Sequence, residues 1–589
     1  MCGICGEFAF RAPASAQLVE HMMDPLEPRG PDAGGVLVQG NIGLGHRRLS
    51  ILDLADTSQQ PMFDPMLGLG VVFNGCIYNF QELRAELTAK GFAFFSSGDT
   101  EVVLKAYAAW GPRCVERFVG MFAFAIWERD SGRLVLCRDR LGIKPLYLAE
   151  TRDGLRFAST LPALLQGEGI DTSIDARALH HYMSWHATVP APLTIIKGVR
   201  KLPAATIMTI EPDGSTREEV YWNLSVGTDP RDMGLSEADW QERTEAAFRL
   251  AVERRMIADV PVGVLLSGGL DSSMLVAALA ESGQRGLQTF SIGFDSVNNV
   301  EGDEFNYSDL IARHFGTDHH RIRVSARQGL EALPATIHAM SEPMMSHDAV
   351  GFFLLAKEVT QHVKVVQSGQ GADEVFAGYH WYPKLLRSND VATDYARLYF
   401  DRDHDEMGRA LHPSLMNGDY SSAFVEEFFG RCNGNGPVDK ALQLDTQIML
   451  IDDPVKRVDN MTMAFGLEGR VPFLDHELVE LAARMPTDLK LRGGGKHILK
   501  EVARTMVPAE VIDRPKGYFP VPALKYLRGP FYEFVRDTLN DPRARQREIF
   551  NRDYVDTLLS DPEGNLTPKG HSKLWQIAVL EHWLQSHNI

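Results

Sequence analysis

Short apolar runs, separated by Gly, Pro, Asn and Asp, fill the chain from its start to about residue 210. Runs of this length that are rich in branched and aromatic side chains predict β-strands. The predicted strands are residues 36–38, 49–52, 71–73, 121–127 and 133–138. The triplet Asp-Ser-Gly at 130–132 is typical of a tight turn and predicts a hairpin between the last two strands.

Two helical patterns interrupt these strands. Asn79, with Glu82 three residues later, predicts a helix cap for an amphipathic segment that ends at Gly91. A second helix is predicted to begin at Asp99 and to end at Gly111. Strands in this number with only two helices between them predict an α+β sandwich.

The second half of the chain shows a different pattern. Residues 211–235 combine turn residues with little periodicity and predict a linker between domains, after which Ser236 is expected to cap a long helix. Strands are then predicted at 262–266, 288–294, 320–324 and 364–367, with helices at 307–315 and 349–360 between them. This alternation predicts an α/β doubly wound parallel sheet with ligands at the carboxyl ends of its strands. The predicted domains are therefore 1–210 and 236–589, and 390–437 is predicted to be a helical insertion.

Composition narrows the class of protein. A chain of 589 residues is too long for one hydrophobic core, and 44% hydrophobic with 23% charged residues is typical of globular domains. The net charge of −18 argues against nucleic acid or an anionic membrane as a partner. No run of eighteen apolar residues occurs, so we expect no membrane segment.

The cysteines are few and dispersed, which predicts no disulfide framework and favours a reducing cytoplasmic location. They are Cys2, Cys5, Cys76, Cys114, Cys137 and Cys432.

The stretch from Ser267 to Ser273, Ser-Gly-Gly-Leu-Asp-Ser-Ser, follows the first strand of the second half and precedes a helix. Two glycines at such a point present unpaired backbone N–H groups at a positive helix end, which suits a polyphosphate. Asp271 is placed to hold Mg²⁺ between the phosphates. An ordinary strand-to-helix turn is the competing interpretation. The stretch resembles the loop of ATP pyrophosphatases, which split ATP into AMP and pyrophosphate.

A second loop, residues 368–374, follows the fourth strand of this half and carries Asp373. Asp271 and Asp373 at two strand ends could share magnesium on the pyrophosphate of ATP. Helix capping is the alternative explanation for both carboxylates.

Cys2 stands at the extreme start of the chain. Removal of Met1 would leave Cys2 with a free amine of near-neutral pKa, which could act as the base for its own thiol. The thiolate is the attacking species. Cys2 and Cys5 as a metal or redox pair would need further ligands or a preceding strand, and neither is present. Cys5 is interpreted as a small buried residue of the first strand.

Seven dispersed segments resemble the glutaminase domain of class II (N-terminal-nucleophile) glutamine amidotransferases, in the order found in that family. They are Met-Cys-Gly-Ile at 1–4, Arg-Gly-Pro-Asp at 29–32, Arg-Leu-Ser-Ile at 48–51, Phe-Asn-Gly-Cys-Ile-Tyr-Asn at 73–79, Ser-Gly-Asp at 97–99, Gly-Met-Phe-Ala-Phe at 120–124 and Arg-Asp-Arg-Leu-Gly-Ile-Lys-Pro-Leu-Tyr at 138–147.

The resemblance implies an αββα sandwich in which Cys2 attacks the amide of L-glutamine. It also implies that Arg48 binds the substrate carboxylate, that the Asn74 side chain and Gly75 N–H form the oxyanion hole, and that Asp99 takes the substrate ammonium. The remaining implied glutamine contacts are Leu49, Ser50, Ile51, Leu52 and Cys76. The alternatives are a solvated strand charge for Arg48, a hairpin turn for Asn74-Gly75 and a helix cap for Asp99.

Position 76 departs from the asparagine synthetase pattern, which has glutamate where this chain has Cys76. The alternative interpretation of Cys76 is a half-buried strand residue.

Three segments of the second half resemble the asparagine synthetase family: residues 452–461, 468–475 and 495–500. The resemblance implies that Lys496 balances charge on the α-phosphate during adenylation. The implied ATP contacts are Leu266, Ser267, Gly268, Gly269, Asp271, Ser272, Ile292, Ser368 and Gly369. A solvated charge is the alternative for Lys496, and core packing explains Leu266 and Ile292 as well as binding does.

The two resemblances together imply ATP- and Mg²⁺-dependent amide synthesis, with ammonia released at Cys2 and carried through a protected passage to an activated carboxylate. Asparagine synthetases have glutamate in the loop where this chain has Gln370, which changes the charge beside the acceptor. The chain therefore looks more like the bacterial N-acetylglutaminylglutamine amidotransferases than like aspartate-specific enzymes. A regulatory homologue without synthetic activity is the alternative of another class, and the family resemblance also allows a homodimer.

Overall fold

A computed structural model describes residues 2–227, 229–296, 302–434, 436–514 and 522–589. Its strands are β1 (Gly3–Ala9), β2 (Ala33–Gln39), β3 (Ile42–Arg48), β4 (Met62–Asp64), β5 (Leu69–Ile77), β6 (Gly120–Glu128), β7 (Leu134–Arg138), β8 (Tyr147–Glu150), β9 (Gly154–Ala158), β10 (Arg200–Lys201), β11 (Thr206–Ile210), β12 (Thr216–Val220), β13 (Val262–Leu265), β14 (Gln288–Phe294), β15 (Asp318–Val324), β16 (Val365–Gln367) and β17 (Glu468–Arg470).

The α-helices are α1 (Ala16–Met23), α2 (Phe80–Ala89), α3 (Asp99–Trp110), α4 (Leu161–Leu164), α5 (Ala176–Ser184), α6 (Glu237–Arg254), α7 (Leu270–Glu281), α8 (Phe305–Phe315), α9 (Ala326–His338), α10 (Asp348–Val359), α11 (Ala372–Val375), α12 (Tyr382–Leu385), α13 (Val391–Tyr399), α14 (His404–Ala410), α15 (Tyr420–Arg431), α16 (Pro437–Leu444), α17 (Lys456–Met463), α18 (His476–Arg484), α19 (Thr487–Leu491), α20 (His497–Ala503), α21 (Ala509–Ile512), α22 (Pro522–Tyr526), α23 (Pro530–Asn540), α24 (Pro542–Arg547), α25 (Arg552–Ser560) and α26 (Lys573–Ser586). Two π-helical segments, Asp445–Met449 and Ile451–Val455, lead into α17.

The N-terminal half forms two six-stranded sheets, in the orders β10-β8-β9-β1-β3-β2 and β12-β11-β7-β6-β5-β4. Side chains of β5 alternate: Val72 packs between the sheets, while Val71 and Phe73 pack outward against the cluster that includes Leu83 and Val103 of α2 and α3. Helix α1 covers the outer face of the other sheet. The predicted αββα sandwich is confirmed.

Three expectations for this half are wrong in detail. Residues 49–52 form a loop after β3, because the strand ends at Arg48. Asn79 precedes α2, but its side chain bonds Arg117 O and Val119 N and does not cap the helix. The segment predicted as a linker, residues 211–235, contains β12, which pairs with β11 and extends the second sheet. The predicted hairpin between β6 and β7 is confirmed.

The C-terminal half contains a five-stranded sheet in the order β15-β14-β13-β16-β17, in which every pair is parallel. The order reverses between β13 and β16, so the carboxyl ends of these two strands border the crevice where ligands bind in doubly wound folds. Ser236 caps α6 in a capping box with Asp239, as the sequence predicts. The predicted doubly wound parallel sheet is confirmed.

The insertion at 390–437 is helical, as predicted, and contributes α13, α14 and α15. None of the described helices has the length and apolar character needed to span a bilayer.

Candidate active site

A small cavity opens beside Cys2, which immediately precedes β1 and is 7% exposed. Its lining residues are Cys2, Arg48, Leu49, Ile51, Leu52, Ser58, Gln60, Phe73, Gly75, Cys76, Gly98, Asp99, Thr100, Glu468 and Arg470. Seven of the nine predicted glutamine-site residues belong to this lining. The other two are Asn74, which contacts Cys2 directly, and Ser50, whose backbone N–H bonds Asp32.

 The structure thus gathers the predicted glutamine-site residues around Cys2, and only Ser50 lies outside the cavity lining and has no contact with Cys2.

Asn74 holds the start of the chain in place. Its Oδ1 accepts a hydrogen bond from the backbone N–H of Cys2 at 3.1 Å, and it is fully buried on β5. The other end of the same amide, Nδ2, is buried and has no hydrogen-bond partner within the described parts of the chain. An unsatisfied buried donor costs free energy, so this N–H is available to an oxygen atom that enters the cavity.

The backbone of β5 supplies a second donor beside it. Phe73 N–H bonds Gln60 Oε1 at 2.6 Å and Ile77 N–H bonds Asp99 Oδ2 at 3.0 Å, both on the strand edge that faces away from β6. Alternate residues of a strand direct their N–H groups to the same edge, so the Gly75 N–H points into the cavity between these two bonds. The hairpin-turn alternative for Asn74-Gly75 is wrong, because both residues lie inside a strand.

Arg48 is rigidly oriented at the end of β3. Its guanidinium donates to Ala55 O at 3.1 Å and to Asp53 O, and the residue is only 6% exposed. The alternative of a solvated strand charge is therefore wrong. Its buried positive charge faces the cavity, where it suits a carboxylate.

Asp99 opens α3 but does not cap it, since its side chain accepts from the Ile77 N–H of β5. Burial raises the pKa of Asp99 to about 6. Burial also raises the pKa of the Cys2 thiol, while the Leu49 N–H and the Arg48 charge oppose that rise. The cavity thus holds a thiol, two oxyanion donors, a guanidinium and a carboxylate.

Two residues of the C-terminal half complete this cavity, and the sequence analysis assigned neither of them to it. Glu468 and Arg470 alternate on β17, so their side chains lie on one face, and they form a buried ion pair at 2.5 Å. Arg470 Nη2 also approaches Cys76 Sγ at 3.9 Å across 394 residues of chain. No local pattern in the sequence signals this contact.

A second site lies at the carboxyl ends of β13 and β16. Lys496 Nζ forms ion pairs with Asp271 Oδ2 at 2.7 Å and with Asp373 Oδ1 at 2.9 Å. The lysine is 7% exposed, and the two carboxylates raise its pKa against the opposing effect of burial. The alternative of a solvated charge for Lys496 is wrong.

Gly378 makes this ion triplet sterically feasible. A Cβ atom on Gly378 would clash with Asp373 Oδ1 and with Lys496 Cε. Lys496 itself has a positive φ of 55° and follows three glycines, so the backbone is bent to bring its side chain between the two carboxylates.

The turn after β13 requires glycine, and its serine hydroxyls accept from the Ser267 and Gly269 N–H groups that were expected to be unpaired. Gly268 has φ of +75°, and a Cβ there would lie 2.6 Å from the Ser308 N–H nitrogen. Ser267 Oγ and Ser272 Oγ are 3.1 Å apart across the turn, which leads directly into α7. Ser267 and Ile292 line a narrow recess beside this turn, whereas Leu266 is buried in the core.

Comparison with known proteins identifies the family of each half. The family model described as asparagine synthase matches residues 243–585, and the model described as a glutamine amidotransferase domain matches residues 1–222. The chain is 30% identical to asparagine synthetase [glutamine-hydrolyzing] 1 of Bacillus subtilis over 99% of this chain and 96% of that protein. The chain belongs to the asparagine synthase family. As a member of this family it is a glutamine-hydrolysing carbon–nitrogen ligase.

Two further relatives are similar to this chain over most of its length. The chain is 33% identical to a putative asparagine synthetase [glutamine-hydrolyzing] of Mycobacterium bovis, over 92% of this chain and 91% of that protein. It is 27% identical to amidase chry2 of Gibberella zeae, over 91% of each chain.

Two further residues, Gln370 and Glu374, lie close to Asp373 in the sequence of the C-terminal half. Gln370 is half-buried in the loop between β16 and α11. Glu374 is 1% exposed, and its Oε1 accepts a hydrogen bond from Tyr379 OH at 2.7 Å. Burial, together with the neighbouring Asp373 charge, raises the pKa of Glu374 to about 7. The sequence analysis did not single out Glu374, although it follows Asp373 directly.

Buried ion pairs hold the two halves of this asparagine synthase family member together. Asp459 of α17 contacts Arg29 at 2.9 Å and Lys144 at 3.2 Å. Asp452, seven residues earlier on the same helical face, contacts Lys201 at 2.8 Å. Each acidic residue belongs to the C-terminal half and each partner belongs to the glutaminase half, so α17 and the π-helical turn before it form a buried charged contact between the two halves.

Proposed function

We propose that the protein amidates a small carboxylate acceptor, with glutamine as the source of ammonia and ATP as the activating substrate. The observation that carries this proposal is Lys496 Nζ, held between Asp271 and Asp373 at two adjacent strand ends. A phosphate group placed there would meet one fixed cation and two carboxylates that can take a metal ion.

The glutaminase step follows from the cavity beside Cys2. Cys2 Sγ attacks the side-chain amide carbon of glutamine, and the developing oxyanion accepts hydrogen bonds from Asn74 Nδ2 and Gly75 N–H. Cleavage of the C–N bond, with a proton delivered to the nitrogen, releases ammonia and leaves a glutamyl thioester on Cys2, which water hydrolyses to glutamate. Arg48 binds the glutamine carboxylate and Asp99 binds its ammonium. Met1, whose removal is predicted to free the Cys2 amine as the base, lies outside the described residues.

The residues present fit a divalent metal ion. Asp271 and Asp373 both reach within 2.9 Å of one cationic atom, so their oxygens are close enough to share one small ion. Bound Mg²⁺ supplies charge neutralisation on the pyrophosphate. Lys496 would then be free to turn toward the α-phosphate, and the open turn at Gly268 leaves room for the phosphate chain.

Ammonia must reach this second site without becoming ammonium in bulk water. The shortest structural connection is β17, whose Arg470 side chain lines the Cys2 cavity while β16 beside it leads into the 368–374 loop. We infer that the protected passage follows these two strands.

The favoured acceptor is N-acetylglutaminylglutamine. Gln370 is neutral where asparagine synthetases carry glutamate, which removes a carboxylate that could pair with the ammonium group of aspartate. The alternative, asparagine synthesis from aspartate, is supported by the names of the bacterial relatives. A regulatory role without synthesis is disfavoured by the intact Asp271, Asp373 and Lys496.

The test measures pyrophosphate release with ATP, Mg²⁺ and ammonium chloride, with either aspartate or N-acetylglutaminylglutamine as acceptor. We expect release of AMP and pyrophosphate with the N-acylated dipeptide. Release of ADP and phosphate would contradict the adenylation chemistry, and a strong response to aspartate alone would replace the favoured acceptor by the alternative.

A further inference from the structure

A cluster of metal-ligating side chains lies where α5 packs against the insertion, outside both proposed sites. We call it the insertion cluster and define it by His180 of α5, His404 of α14 and Asp419 at the N-cap of α15. One possible ligand atom from each residue lies within 4.8 Å of those from the other two. His180 and His404 are 224 positions apart, so only the packing of these helices assembles the cluster.

The two imidazole rings of the insertion cluster face each other through a pair of nitrogen atoms. His180 Nε2 lies 3.3 Å from His404 Nδ1. This separation is longer than the usual hydrogen bond from an N–H group to oxygen, which spans about 2.7–3.2 Å. Two nitrogen atoms that each lie about 2.0–2.1 Å from a tetrahedral Zn²⁺ ion are about 3.3–3.4 Å apart. The observed distance therefore matches that between two ligands of one ion.

Asp419 supplies an oxygen donor beside these nitrogen atoms. Its Oδ1 lies 3.8 Å from His180 Nε2 and accepts the Ser422 N–H at 3.1 Å, which caps α15 and holds the carboxylate in position. A carboxylate has about four lone-pair positions, so one bond to a backbone N–H leaves the others available to a cation. The side chain of Asp419 is 35% exposed, which gives an ion access from solvent.

A serine hydroxyl can orient the ring of His180 as a metal ligand requires. His180 Nδ1 lies 2.9 Å from Ser421 Oγ, and the same hydroxyl lies 3.1 Å from His181 Nδ1. When His180 Nδ1–H donates to Ser421 and the Ser421 hydroxyl donates to His181, both contacts are satisfied and His180 Nε2 keeps its lone pair. Metal-binding histidines are commonly oriented by such a bond at their second ring nitrogen.

Burial and charge favour a cation at this position. His180 is 2% exposed, and burial lowers its pKa to about 4 against the opposing effect of the Asp419 charge. The ring is therefore neutral near pH 7, as a metal ligand must be. Two imidazoles and one carboxylate form a donor set that suits Zn²⁺, whereas Mg²⁺ and Ca²⁺ prefer oxygen ligands alone.

We propose that the insertion cluster binds one Zn²⁺ ion through His180 Nε2, His404 Nδ1 and a carboxylate oxygen of Asp419, with water as the fourth ligand. Such an ion joins α5, within the matched glutamine amidotransferase domain, to α14 and α15 of the insertion. Its role is to stabilise the packing of the insertion on the glutaminase half. The proposal does not depend on the proposed function, because the three residues belong neither to the Cys2 cavity nor to the Lys496 site.

Calorimetric titration of the EDTA-dialysed protein with Zn²⁺ tests the proposal. Excess Mg²⁺ is present to occupy oxygen-only sites such as the one proposed at Asp271 and Asp373. We expect one Zn²⁺ per chain, and His404→Gln should lower the affinity of that site by at least about 100-fold because it removes a ligand. His412→Gln is the matched control, since His412 lies in the same insertion and its Nδ1 contacts Ser414 Oγ at 2.8 Å.

Asp419→Asn separates metal binding from folding. Asparagine is an equally good helix cap and can still accept the Ser422 N–H, but it lacks the charge that attracts the ion. The Zn²⁺ affinity should fall by roughly 10-fold or more, while the unfolding temperature without metal stays close to that of the wild type. Zn²⁺ should raise the unfolding temperature of the wild-type protein and of His412→Gln, but not that of His404→Gln.

Cobalt identifies the ligands directly. Co²⁺ bound in place of Zn²⁺ should show the strong visible absorption of a tetrahedral site with nitrogen and oxygen ligands, and His404→Gln should lose this absorption. A thiolate-to-cobalt charge-transfer band would place the ion on a cysteine and would overturn the proposal. The absence of tight Zn²⁺ binding to the wild-type protein would also overturn it. So would equal affinity in the wild type and both ligand variants, which a plain hydrogen bond between the two imidazoles predicts.

Discussion

The backbone N–H of Ser368 donates to the carbonyl oxygen of Arg470 at 2.8 Å. Ser368 begins the loop that carries Gln370 and Asp373, while the Arg470 side chain lines the cavity of Cys2. One residue of β17 therefore touches both proposed sites, through its backbone on one side and its guanidinium on the other. β17 is therefore a direct structural link between the two proposed sites.

Replacement of Cys2 should separate the two activities. Cys2→Ala removes the proposed nucleophile and leaves Cys76 as the remaining thiol of the cavity lining. Glutamine-dependent synthesis should therefore fall by more than about 1,000-fold. Synthesis from added ammonium should remain, because the Lys496 site is intact. The rate of product formation is measured once with glutamine and once with ammonium as the nitrogen source. Cys432→Ala is the control, and equal loss of the ammonium-driven reaction would contradict the proposed division of labour.

Gly378→Ala should disable the adenylation site selectively. The added Cβ would push Asp373 and Lys496 apart, since it clashes with an atom of each. We expect acceptor-dependent pyrophosphate release to fall by at least about 100-fold, as an ångström of misplacement at such a site does, while glutamine hydrolysis continues. Gly408→Ala serves as the control, because a Cβ on this helical glycine meets nothing within 4 Å. Similar losses in both variants would count against the role of the ion triplet.

The pH dependence of glutamine use should report Asp99. Burial raises its pKa to about 6, so the carboxylate is protonated below this pH and cannot bind the substrate ammonium. The kcat/KM for glutamine should therefore fall as the pH is lowered through about 6. An analogue that lacks the α-amino group should show no such fall, and an identical profile for both substrates would exclude Asp99 as the ammonium partner.

Glu468→Gln should destabilise the protein at β17, beside the Cys2 cavity. The substitution leaves the buried Arg470 without its ionic partner, which costs about 3–5 kcal/mol of unfolding free energy. Although burial opposes its ionisation, the Arg470 and Lys144 charges lower the pKa of Glu468 to about 2. The stabilisation is thus complete above the ordinary glutamate pKa and is lost as the pH falls through about 2.

Urea denaturation at neutral pH measures this change. Glu86→Gln is the control, because Glu86 pairs with Arg117 on the surface at 3.1 Å and should contribute less than about 1 kcal/mol. Equal stability of the Glu468 variant and the wild-type protein would show that the Glu468–Arg470 pair does not contribute to the free energy of unfolding.

Local patterns predicted most elements of both halves because their physical causes are local. The continuous apolar runs of β6, β7 and β14 and the capping box at Ser236 can all be recognised from neighbouring residues. The error at 49–52 has an equally physical cause. Leu49, Ile51 and Leu52 are apolar like a strand, but they are buried against the glutamine cavity and the domain contact rather than in a sheet.

The sequence by itself determined the two chemistries, since Cys2 at the chain start and the glycine-rich turn at Ser267 each carry their function in adjacent residues. Only the tertiary structure decided what surrounds them. Arg470 reaches Cys76, and Asp459 reaches Arg29, through contacts between residues several hundred positions apart. Such contacts depend on how sheets and helices pack, and packing leaves no short-range pattern along the chain.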